Sequence, residues 1–207
     1  MKKNPPPNKS ELKFQKILAW LMTEVVYGRA HVTIVQGMRH AGRHVLGVAP
    51  MFFEMTLGAH ADAAQMTAAR IFDSDGDISI HTLISSALRE AGSFKHGSAA
   101  QVRKLVDETR ATIAALRPVV AAVQTRRHQT LAHAGSIPLI DPERYVSEGR
   151  MTFTEFSCLF DEVATVLNNF SLLCRGTRID LHMAAAQDYE RMFQVIEGAL
   201  RDAKKCP

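Results

Sequence analysis

The sequence predicts an all-α protein, an antiparallel bundle of five or six helices, and three observations carry that reading. Apolar residues recur at steps of three and four over long stretches, as in Val102, Val106, Thr109, Ile113, Leu116, Val120 and Val123. Helix-start pairs precede the two clearest seams, Ser98 with Gln101 and Thr152 with Glu155. No segment shows the apolar and polar alternation of a half-buried strand.

After Met1, residues 2–9 are Lys, Asn and Pro, so a disordered tail is expected over residues 1–9, followed by one helical domain over residues 10–205. Ser10 suits the N-cap of a first helix with Phe14, Leu18, Leu21 and Val25 on one face, running to about Gly42 or Gly47 and weakened by Gly28 and Gly37. Pro50 suits the first turn of a second helix bearing Phe52, Met55, Ala59, Ala63, Met66 and Ile71. The run Asp73-Ser74-Asp75-Gly76-Asp77 reads as a loop. Its order resembles a calcium loop, but the twelfth position holds Ile84 where a bidentate glutamate is required.

A short helix is expected from about Ser79 to Arg89. The seam beginning at Val102 should bend or divide at Pro118, which lacks a backbone donor and clashes with the preceding turn. Thr152 opens the seam of Phe153, Phe156, Phe160, Val163, Leu167, Phe170 and Cys174, and Gly176 stops it. A last helix is expected from about Leu181 to Ala203, carrying Met183, Met192, Val195, Ile196 and Leu200. The two heptad-like seams are expected at the centre of the bundle, with apolar surface left over for a second copy.

The composition excludes several classes. With 46% apolar and 22% charged residues the chain is neither wholly disordered nor fibrous. No apolar run approaches the roughly 18 residues of a spanning helix. Cys158, Cys174 and Cys206 have neither paired number nor CxxC spacing, so no disulfide framework or zinc site is implied and a reducing cytoplasm is the natural setting. A formal charge of +4 permits an RNA partner without the dense basic patch of a duplex-DNA binder.

Chemistry concentrates in Arg126-Arg127-His128-Gln129-Thr130-Leu131-Ala132-His133. Arginine offers a fixed fork of donors to a phosphate, and histidine exchanges protons near neutral pH, a pairing that suits phosphodiester chemistry. Continuing the seam beyond Val123 puts Arg127 on the core-facing side, where a lone charge is costly. Either Arg127 pairs with a carboxylate such as Asp161 or Glu162, or the seam opens there into a cleft or subunit interface. On a straight helix His133 is offset from Arg127 by about 120°, so a turn in the chain or a second copy must complete the pair. Arg70 and Asp73, three apart, read as a local ion pair closing the second helix or as support for the site. His40 and His44 share a helix face but lack a third metal ligand.

The stretch Arg127-His128 to Leu131-Ala132-His133 resembles the Arg-x(4–6)-His motif of the HEPN superfamily. Phe52-Phe53, the helix end Arg70-Ile71-Phe72-Asp73 and the segment Ile78-Ser79-Ile80 to Leu83-Ile84 resemble its abortive-infection, AbiU-type branch. Arg39 with His44, Arg89 with His96, and Arg175 with His182 share the spacing. Position late in a long helix, the adjacent His128 and the Leu-Ala-His ending single out Arg127. The resemblance implies a dimeric helical bundle with the motif at the interface, and a ribonuclease of toxin–antitoxin or phage-defence systems that needs no metal or other cofactor. It assigns Arg127 and His133 as the catalytic pair, with His128 in the polar position; Arg126, Thr130, Arg70 and Asp73 are read as RNA-binding or supporting residues beside them. Non-catalytic binding of nucleotide, RNA or a protein partner is the alternative. Partner-silenced toxins of the superfamily often carry a tyrosine two residues after the histidine; Gly135 stands there, so control by AMP transfer is not supported.

Overall fold

The computed structural model describes residues 9–128, 151–183 and 186–203. They form α1 (Lys9–His40), α2 (Arg43–Leu46), α3 (Pro50–Ile71), α4 (Ile80–Arg89), a 3₁₀ turn (Ala91–Ser93), α5 (Ala99–Ala115), α6 (Arg117–Arg126), α7 (Phe153–Arg175) and α8 (Ala186–Ala203). No strand occurs among the described residues. The expected all-α bundle is the observed architecture.

Local chemistry sets the helix ends. Ser98 accepts from the Gln101 N–H at 3.3 Å while the Gln101 side chain accepts from the Ser98 N–H at 2.7 Å. Thr152 and Glu155 form the same reciprocal pair at α7, and Ser79 with Thr82 forms another at α4. Each such cap is worth about 1 kcal/mol. Pro50 occupies the first turn of α3, and Gly176 ends α7 in the left-handed conformation at φ 74°. The break expected at Pro118 falls at Leu116, which ends α5 and precedes α6.

The hub of the bundle is α1, not the pair of heptad-like helices. It packs most extensively on α3, then α7, with α4 and α8 adding further contacts. Its 32 residues extend about 48 Å, long enough to serve every neighbour. Phe14, Leu18, Leu21 and Val25 meet Ala64, Ala68 and Ile71 of α3, Ile80 and Leu83 of α4, and Phe160, Leu167 and Phe170 of α7 in the main core. Each fully buried side chain of this size contributes about 1.5–3 kcal/mol. Gly28, which weakens the helix in isolation, has a packing role: a Cβ there would lie 2.1 Å from the Phe160 ring.

Four expectations shift. Ser10 lies inside α1 instead of capping it. α2 is a separate turn after the Gly42 break, and with α1, α3 and α8 it builds a second core of Met38, Val45, Phe53 and Phe193. α8 begins among the described residues at Ala186, so Leu181 and Met183 precede it. Past Gly176 the chain is held by Asn168, whose side chain accepts from the Ile179 N–H at 2.8 Å and donates to the Ile179 carbonyl at 3.1 Å, while Leu181 enters the main core. The inward face of α8 is Tyr189, Phe193 and Ile196, leaving Met192 and Val195 exposed.

Candidate active site

The end of α6 is fastened to the end of α3. Ala122 and Val123 are buried, and one residue on, the Gln124 side chain donates to the Ala69 carbonyl at 3.3 Å. Arg127 follows, and its Nη1 donates to Asp73 Oδ2 at 3.3 Å. Both side chains are 29% exposed, so the pair is neither sealed in the core nor free in solvent. The other Asp73 oxygen accepts from the Asp75 N–H at 3.2 Å, which fixes the carboxylate in its turn. One oxygen thus shapes the acidic loop and the other aims an arginine. A guanidinium has five N–H donors, and this pair uses one of them.

The two helix ends gather positive charge. Arg126 sits half-buried beside Arg127, and its Nε has no hydrogen-bond partner among the described residues. His128 is exposed at the last described position of this segment. Cations near the carboxyl end of a helix are favoured by its dipole by about 0.3–1 kcal/mol, which supports Arg126 and Arg127 on α6 and Arg70 on α3. Thr130 and His133, like Gly135, lie outside the described residues.

Of the two readings of Arg127, pairing with a carboxylate is the observed one, but the partner differs from the expected Asp161 or Glu162. Asp161 of α7 instead pairs with Arg29 of α1. The local Arg70–Asp73 pair does not form either. Asp73 lies two residues beyond the end of α3 and turns toward α6, whereas Arg70 reaches across to α1. Arg70 donates through Nε and Nη2 to Glu24 Oε2 at 3.0 and 2.7 Å, and Nη2 also reaches Thr67 Oγ1 at 3.2 Å.

Sequence reasoning missed a second polar group on the α1–α3 seam. His31 and His60 place their Nδ1 atoms 2.8 Å apart, so one ring donates and the other accepts. Burial lowers the pKa of both; the neighbouring His60 and the charge of Arg70 lower His31 further. The available signal was the seven-residue step between Glu24 and His31, and between His60 and Thr67, which puts each pair on one helix face. No group of three His, Cys, Asp or Glu side chains able to hold a metal ion occurs among the described residues, at His40 and His44 or elsewhere. Within the same residues no helix is long and apolar enough to cross a membrane.

The described residues form the all-α bundle that the resemblance implies, with Arg126, Arg127 and His128 at the end of α6. The chain belongs to the AbiU2 family of HEPN domains, whose family model matches residues 11–193. Comparison with curated proteins and with solved structures returns no match.

Proposed function

We propose that the protein is a metal-independent endoribonuclease of the HEPN toxin or phage-defence type, acting in the cytoplasm as a homodimer. The observation that carries the reading is the Arg127–Asp73 pair at the end of α6, which aims a guanidinium six residues before His133 in the sequence. In the proposed reaction a ribose 2′-hydroxyl attacks the adjacent phosphate, forming the 2′-oxygen to phosphorus bond as the bond to the 5′-oxygen breaks. His133 transfers the proton, and Arg127 stabilises charge on the phosphoryl oxygens. The products are a 2′,3′-cyclic phosphate and a free 5′-hydroxyl. In this reading His128, Arg126 and Thr130 flank the RNA, Asp73 positions Arg127, and Arg70 supports the site from the last turn of α3.

A second reading follows from the same pair: Arg127 is already partnered, which suits a module that binds nucleotide, RNA or an antitoxin protein without turnover. Incubation of mixed cellular RNA in excess EDTA, with mapping of product ends, separates the two. The ribonuclease reading expects cyclic phosphates from the native chain and none from His133→Ala. Tight RNA binding without cleavage by a folded native dimer would favour the binding module.

A further inference from the structure

At the amino-terminal end of α3, far from the Arg127 pair, lies an apolar cavity of about 400 Å³. Met38, Leu46, Pro50, Phe53 and Leu57 form its floor and walls, where α1, α2 and α3 meet. Outside it the apolar surface continues onto α3 and the turn before it: Met51 is 68% exposed and Met55 69%, with Phe52 and Val48 also more than half exposed. Four large apolar side chains crowded at one helix start are unusual for a surface that meets only water.

One rim of the cavity is basic. Arg39 and Arg43 line it, and His40 and His44 stand beside them, all four exposed. Arg39 lies over the Phe153 ring at 4.0 Å, and neither arginine has a carboxylate partner among the described residues. Glu54, on the α3 side, is the single acidic lining residue. The surface therefore has an apolar centre, a cationic edge toward α1 and α2, and one carboxylate opposite.

We infer that this cavity is a docking site for an acidic amphipathic segment of another protein, with apolar side chains entering the cavity and Asp or Glu residues meeting Arg39 and Arg43. A concave cavity of this volume takes apolar anchor side chains, whereas a flat bilayer surface would leave it unfilled. A second copy of this chain in a two-fold arrangement would bring only the single carboxylate Glu54 toward this edge, leaving its two arginines and two histidines in excess. The methionines at the edge adapt their shape to an incoming helix or extended segment. The 22 residues of α3 separate this site from Asp73 by about 30 Å, so occupancy leaves Arg127 uncovered and the inference stands apart from the proposed ribonuclease activity.

The test is selection of random 16-residue display peptides on the full chain, followed by affinity measurement on purified peptides. Arg43→Glu and the double variant Met51→Ser with Phe52→Ser change exposed side chains, and circular dichroism verifies that both remain folded. Expected are peptides with two apolar residues three or four apart flanked by Asp or Glu, weakened at least tenfold by Arg43→Glu and by the double variant, and weakened by 0.5 M salt. Arg127→Ala should leave their affinity unchanged. The inference is overturned if no family of peptides emerges, if the selected peptides lack acidic residues, or if Arg43→Glu has no effect. Binding of anionic phosphatidylserine vesicles instead of peptides, or a dimer abolished by the double variant, would likewise overturn it.

Discussion

Replacing Asp73 by asparagine isolates what the Arg127 pair does. The substitution keeps an oxygen to accept the Asp75 N–H and puts an amide NH2 where Oδ2 accepted from Arg127, removing both the charge and the acceptor that face it. At 3.3 Å with both side chains 29% exposed, the gross attraction is about 5 kcal/mol at the effective dielectric of a protein surface. Desolvation, side-chain entropy and screening reduce exposed pairs of this kind to a net of about 0.2–1 kcal/mol. The variant should therefore lose about 1 kcal/mol or less in urea denaturation, and a Tm shift of roughly 2–4 °C is the ceiling for a chain of this size. Its effect on chemistry should be larger, because an arginine that wanders by an ångström no longer meets the phosphate; a loss on the order of 10²-fold in single-turnover RNA cleavage in EDTA is expected. Arg127→Ala should cost about 10²–10³-fold, and the double variant no more than Arg127→Ala alone, since Asp73 acts through Arg127. Full cleavage by Asp73→Asn, or losses that simply multiply in the double variant, would refute the positioning role.

Other consequences are equally concrete. Gly28→Ala adds a methyl 2.1 Å from the buried Phe160 ring, whereas Gly58→Ala adds one with nothing within 4 Å. Overpacking of about 3 kcal/mol against a helix gain of about 1 kcal/mol leaves Gly28→Ala destabilised by about 2 kcal/mol, while Gly58→Ala gains up to about 1 kcal/mol; urea midpoints at constant slope should move in opposite directions. Since the folded state lowers the pKa of His31 and His60 below the ordinary 6.5, the unfolded chain binds more protons as pH falls through that value. Stability should thus be fully held above about pH 6.5 and decline below it, and His31→Gln with His60→Gln should flatten that slope in denaturation from pH 8 to pH 5. A slope unchanged by the double variant would assign it to other groups.

The residues show where one-dimensional pattern suffices. Ser98, Thr152, Pro50 and Gly176 act on backbone within a turn of themselves, so their roles follow from neighbours a few positions away. The seams also gave the buried faces of α5 and α7, because a period of three and four states which side turns inward. What pattern cannot state is which helix covers that side. α1 became the hub because Gly28 admits Phe160 of α7 and because α1 is long enough to reach every neighbour, neither of which periodicity contains. The candidate site divides the same way. Arg127 was legible as a charge on a core-facing line that either meets an acid or opens a cleft, and the acid it meets is Asp73 of a loop more than fifty positions away. Arg70 had a carboxylate three residues on and still reached α1, since Asp73 leaves the helix before it can face back.

The proposed chemistry lies where α6 ends, at one of four histidines that an arginine precedes at the Arg-x(4–6)-His spacing. Single-turnover cleavage of one defined RNA in excess EDTA, compared across His44→Ala, His96→Ala, His182→Ala and His133→Ala, tests it most directly. His133→Ala alone is expected to lose cleavage by 10²-fold or more while the other three remain near the native rate. Full activity in His133→Ala, or a loss that follows His44, His96 or His182 instead, would contradict it.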